Sequence, residues 1–166
     1  MRKRFLIYVC LLAASLVACG KSGVPVYTDA DTLARSLYTN AALGIDTIYA
    51  EELAGVDAFR FGMTITDFEN TVEDAVCFRK TVDTNGQMLY ALKMRSEEDA
   101  ELMAKTFFAH YEFAPCDVAE KMAVVSAGNY VICFKSDMGE VDAAVESFRT
   151  LMNGKLGFEK ELFNRG

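Results

Sequence analysis

The side chains best suited to covalent chemistry in this sequence are its cysteines, because a thiolate is a strong nucleophile wherever its surroundings allow it to form. The 166-residue chain has five. Cys19 stands in Leu16-Val17-Ala18-Cys19-Gly20, behind small residues that fit a peptidase cleft. The chain opens on Met1-Arg2-Lys3-Arg4, which is basic and free of acids. An apolar run from Phe5 to Ala18 follows, interrupted only by Ser15. Basic start, apolar stretch and small residues before a cut are the parts of a secretory leader. The run is shorter than the about 20 apolar residues that span a bilayer as a helix. Cleavage is therefore expected between Ala18 and Cys19, with the Cys19 thiol taking a diacylglycerol.

That arrangement resembles a bacterial lipobox. It implies a leader over residues 1–18, a lipidated Cys19 with a short tether over 19–27, and one globular domain over 28–166. The tether Gly20-Lys-Ser-Gly-Val-Pro25 reaches about 20 Å when extended. Several acyl chains, palmitate among them, hold a protein stably, since each buried methylene adds about 0.8 kcal/mol and one chain alone is marginal. The expected location is the extracytoplasmic face of the cell membrane, with the membrane itself as first partner. The other readings of the leader are an uncleaved anchor or a plain signal peptide with an incidental cysteine.

The rest of the chain offers little chemistry. Cys10 leaves with the leader, so Cys77, Cys116 and Cys133 remain, an odd number that excludes a complete disulfide framework. Cys77 and Cys133 lie in apolar stretches and read as buried small hydrophobes, with one disulfide left open. His110 is the single histidine and falls at the spacing of a helix core face near the helix end, as a satisfied structural residue. There is no Gly-x-Ser-x-Gly, no Cys-x-x-Cys and no glycine-rich phosphate loop. No metal ligand set, cofactor or catalytic residue is expected. A zinc site would need four ligands from one histidine and scattered cysteines, and the loop around Gly86 has Thr81 and Leu92 where a calcium hand needs oxygens. Glu73 and Asp74, and the acids Glu97, Glu98, Asp99 and Glu101, read as solvated or helix-capping groups. Removing Arg2, Lys3 and Arg4 from the 17 bases leaves 14 against 24 acids, a net of −10. Such a domain repels nucleic acid and anionic headgroups, so no nucleic-acid partner is expected. Tyr27, Tyr38, Tyr49, Phe61 and Phe113 lack an assigned partner and are either ordinary core or the lining of a groove.

The elements that must position these residues follow from patterning. Thr28-Asp29-Ala30-Asp31 starts a helix from about Asp29 to Leu43, closed by Gly44. Residues 46 to 62 suit short strand or turn segments, and Thr64 to Asn70 a helical turn capped by Thr64 or Thr66. Ala75–Val82 and Gln87–Arg95 form a hairpin around Asp83-Thr84-Asn85-Gly86. Ser96-Glu97-Glu98-Asp99 opens a helix to about Tyr111, with Leu102, Met103, Thr106, Phe107 and His110 inward. Met122–Ala127 and Tyr130–Lys135 form a second hairpin around Gly128-Asn129. Asp137 caps a helix whose stripe is Val141, Ala144, Val145, Phe148, Leu151 and Met152. A short helical turn is expected over Phe158–Phe163. Two hairpins (about 75–95 and 122–135) make an antiparallel sheet that helices cover on one face. The fold expected is a two-layer α+β domain.

From Phe61 to Leu151 the sequence resembles the Gram-positive, Clostridia-type lipoproteins that carry domain of unknown function 4358. The likeness rests on an apolar strand before Arg95-Ser96-Glu97-Glu98-Asp99-Ala100-Glu101, on Ser126-Ala127-Gly128-Asn129-Tyr130-Val131-Ile132-Cys133, and on the leader. The strand Ala75 to Arg79 departs from it, with Cys-Phe-Arg where an acid and an aliphatic are more usual. The resemblance implies fold and location, and brings no activity with it.

The expectation for function is a non-catalytic, membrane-tethered domain that binds an envelope protein or wall component through an exposed apolar patch. The alternatives are a small-molecule-binding lipoprotein, which needs a pocket, and an envelope hydrolase, which needs two carboxylates in one cleft.

Overall fold

The computed structural model describes residues 23–82 and 85–165. The leader, Ala18 and Cys19 lie outside the described residues. A single six-stranded sheet organises the chain. Its strands are β1 (Ile48–Glu52), β2 (Val72–Lys80), β3 (Met88–Met94), β4 (Lys121–Ala127), β5 (Tyr130–Ser136) and β6 (Glu159–Phe163). They lie in the order β1-β2-β3-β5-β4-β6, every neighbouring pair antiparallel. The helices are α1 (Ala30–Asn40), α2 (Ile65–Thr71), α3 (Glu97–His110) and α4 (Met138–Leu151), with 3-10 segments at Ile45–Thr47 and Gly55–Phe61.

The α+β class and both hairpins agree with the sequence reading. Helix starts form where a short polar side chain meets an amide left without an intrahelical acceptor. Asp29 accepts from the Thr32 amide at 2.6 Å, Thr64 from Asp67 at 3.1 Å, Ser96 from Asp99 at 3.1 Å and Asp137 from Glu140 at 2.9 Å. The β4–β5 turn closes at Gly128, whose φ of +53° favours glycine.

Helices α1 and α4 pack side by side on one sheet face, over Val76, Phe78, Leu89, Ala91, Ala123, Val125, Ile132 and Phe134. The opposite face is also covered. There α3, α2 and the Gly55–Phe61 segment bury Ala75, Cys77, Tyr90, Leu92, Met122, Val124, Val131 and Cys133. The expected single covered face thus describes α1 and α4, while α3 lies on the other side. The central strands explain why. Every residue of β4 is buried, and β3 is apolar on both its faces. A strand buried on both sides reads as a continuous apolar run and needs cover on both.

Three boundaries differ from expectation. Helix α1 stops at Asn40 rather than near Leu43. Ala42 takes a left-handed φ of +54°, and the Leu43 amide reaches back to the Tyr38 carbonyl at 2.9 Å. Phe158–Phe163 is no helical turn, because residues 159–163 form edge strand β6 against β4. The expected tether over residues 19–27 is docked at its C-terminal part. Val24 is 4% exposed within the core, and the Tyr27 amide donates to the Tyr130 hydroxyl at 2.8 Å.

Candidate functional site

Cys19, the residue at which lipidation is expected, precedes the described fold by residues 20–22. The chain enters the domain at Val24, which packs where a Cβ on Gly128 would lie 3.3 Å from it. Tyr27 then meets Tyr130 edge to face at 5.9 Å, and the Tyr130 hydroxyl donates back to the Tyr27 carbonyl at 3.2 Å. The folded domain therefore starts about four residues earlier than expected, almost immediately after the cysteine.

The remaining thiols are free. Cys77 and Cys133 are fully buried, and burial pushes both thiols above their ordinary value, Cys133 well above it. The Arg79 guanidinium donates to the Cys77 sulfur at 3.3 Å, which offsets part of that rise. Cys116 is exposed in the segment between α3 and β4. His110 is not on the core side. It is exposed at the end of α3, its Nδ1 2.8 Å from the Thr106 carbonyl, and its ring fills the space a side chain at Gly62 would need. Leu102, also expected inward, is exposed, while Met103 and Phe107 are buried as expected.

Four of the five unassigned aromatics turn out to be packed. Phe61 is fully buried among Phe68, Tyr90 and Phe107, with the Tyr90 ring 5.1 Å away. Tyr38 lies between Phe78 and Phe134, Tyr27 meets Tyr130, and Phe113 meets Tyr111 at 5.3 Å. Tyr49, on edge strand β1, is 58% exposed.

Two polar clusters stand out. One surrounds the Glu140 carboxylate at the start of α4. Lys80 donates to it at 2.9 Å and Asn85 at 3.1 Å, joined by Gln87 and Ser136. Burial raises the Glu140 carboxyl, but the donors Ser136, Lys80 and Gln87 outweigh it and hold it below its ordinary value. Sequence reading missed this group because its members come from β2, the β2–β3 connection, β5 and α4. Its geometry ties the β2–β3 hairpin to α4. The other cluster is a groove of about 410 Å³ beside the start of α1, lined by Asp29, Asp31, Glu52 and Asp74. Asp29 and Asp74 each accept from a first-turn amide, Thr32 and Ala30 respectively, both at 2.6 Å. Two of the four carboxylates are thus committed to capping α1. Among the described residues, no group of three or more His, Cys, Asp or Glu is arranged to hold a metal ion.

Exposed apolar side chains are spread over the domain, and three of them share one stretch. Val56 is 72% exposed, Phe59 74% and Ile65 53%, all between β1 and β2. In a 3-10 helix residues i and i+3 eclipse, so Val56 and Phe59 form one outward column. Gly55 is closed in by Ile65 and Glu69, which sets the two segments against each other. Among the described residues no helix is long and apolar enough to cross a membrane. Comparison with models of known families, with curated proteins and with solved structures gives no match.

Proposed function

We propose that this chain is a bacterial lipoprotein, anchored through a diacylglycerol on Cys19 at the extracytoplasmic face of the membrane, whose single α+β domain binds an envelope protein. The observation that carries this reading is the leader ending in Leu16-Val17-Ala18-Cys19, set immediately before a domain already docked at Val24. The resemblance to lipoproteins with domain of unknown function 4358 accords with it. The binding role is supported by the outward column of Val56 and Phe59 with Ile65 nearby. Exposed apolar residues grouped on one segment mark interaction surfaces more often than isolated ones do. The aliphatic Val56 and Ile65 suit an apolar protein surface better than a hydroxylated wall polymer.

In-cell crosslinking followed by mass spectrometry tests the binding role. The anchored protein is expected to capture one stoichiometric envelope protein. Phe59→Ser should lose that capture while folding normally. Capture of wall fragments instead, or equal capture by Phe59→Ser, would count against the reading.

A further inference from the structure

We infer that the domain stands on end at the membrane. The end bearing Val24, the Gly128-Asn129 turn and the start of α3 faces the lipid headgroups, and the start of α4 faces away. This orientation rests on lipidation of Cys19.

The leash is short. Val24 is fixed in the core against Gly128, and a Cβ at Gly23 would collide with the Lys155 ammonium. From Cys19 to Gly23 the chain spans at most about 14 Å. The leash also joins the domain at one end of the sheet rather than at its middle. Gly128 belongs to the β4–β5 turn. Beside it, the Met94 amide donates to the Asn129 carbonyl at 2.7 Å, and the Asn129 side chain donates to the Met94 carbonyl at 2.9 Å. The Arg95 amide donates to the Thr71 carbonyl at 2.8 Å. The end of β3, the start of β2 and the first residues of α3 therefore share the end at which Val24 enters. The opposite end is far. Six residue steps along β5, from Tyr130 to Ser136, cover about 20 Å, and α4 begins there. A leash shorter than the strand keeps the Val24 end nearer the bilayer.

Charge does not produce this apposition. Glu73, Glu97, Glu98 and Asp99 lie at the membrane-facing end, and anionic headgroups repel them. The covalent leash does the positioning, and the far end, with Met138, Val82 and the Glu140 cluster, is presented outward.

The chain has no tryptophan, so a single introduced one reports without background. Glu98→Trp marks the near end; Met138→Trp and Val82→Trp mark the far end, all at exposed positions. Each full-length variant is lipidated in a bacterial host, purified and reconstituted into phosphatidylcholine vesicles carrying dansyl-labelled phosphatidylethanolamine. Energy transfer to dansyl is expected to be several-fold stronger from Glu98→Trp than from either far-end variant. Equal transfer, or stronger transfer from the far end, in protein that floats with the vesicles overturns the orientation and leaves the lipid anchor standing. Protein that fails to float, behaving like Cys19→Ser, overturns the anchor and the orientation together.

Discussion

Cys77 and Cys133 point to the same face of the sheet and are held apart by Tyr90, the register partner of both. Two strand spacings separate them, about 9–10 Å, beyond the about 7 Å that a disulfide spans between Cα atoms. Both thiols are thus walled into the core, while Cys116 faces solvent. In the Cys19→Ser protein without residues 1–18, thiol titration should find one fast-reacting group in the native state and three after denaturation. Protection of Cys116, or fast reaction of a second thiol, would show that the core around Tyr90 is arranged otherwise.

Phe61 is the centre of the core beneath α3, touching Phe68, Tyr90 and Phe107. Phe61→Ala should cost about 3–5 kcal/mol, the usual loss for truncating a buried aromatic. Urea unfolding of the soluble domain measures it. Phe59→Ser, two residues away but exposed, should stay within about 0.5 kcal/mol of the parent.

The Glu140 carboxylate sets an acid-sensitive contribution to stability. Its folded value lies below its ordinary 4.5. The contribution is therefore fully present above pH 4.5 and is lost as pH falls through the lower, folded value. Glu140→Gln should lower stability by about 1–3 kcal/mol at neutral pH, as expected for hydrogen bonds to a charged group. The gap in Tm between parent and variant should close as the pH drops below 4.5. A gap that persists unchanged at low pH would mean that the charge does not matter.

Ala42 occupies a left-handed position that glycine adopts without a steric penalty. Ala42→Gly should raise stability by roughly 0.5–1 kcal/mol, read from the urea midpoint. A loss would indicate that the α1 terminus is not held in this conformation.

The sequence displayed the local features and hid the tertiary ones. Asp29, Thr64, Ser96 and Asp137 announced helix starts, and Gly128-Asn129 announced a hairpin, because each acts within a few residues of itself. The end of α1 was misplaced because Gly44 looked like the natural stop, whereas Ala42 takes the left-handed turn. Strand β6 was invisible because Glu-Lys-Glu-Leu-Phe has little strand propensity. Such a charged segment suits a sheet edge and is held by its partners. Phe158 donates to the Ser126 hydroxyl at 2.9 Å, and Lys121 pairs with Glu161 at 2.7 Å. The second helical layer was missed because a sheet built of two hairpins was expected to be covered on one face, although in β3 Leu89 and Ala91 are as apolar as Tyr90 and Leu92. The Glu140 cluster had no local signal at all. The proposed lipidation at Cys19 is the reverse case, read wholly from its neighbours' sequence.

The central claim is the anchor at Cys19, and mass spectrometry of the N-terminus of the protein recovered from bacterial membranes tests it most directly. The account predicts a chain that begins at Cys19, has lost residues 1–18 and carries the mass of a diacylglycerol on that residue, with Cys19→Ser neither lipidated nor cut there. A chain that keeps Met1, or one cut elsewhere with an unmodified Cys19, would contradict it.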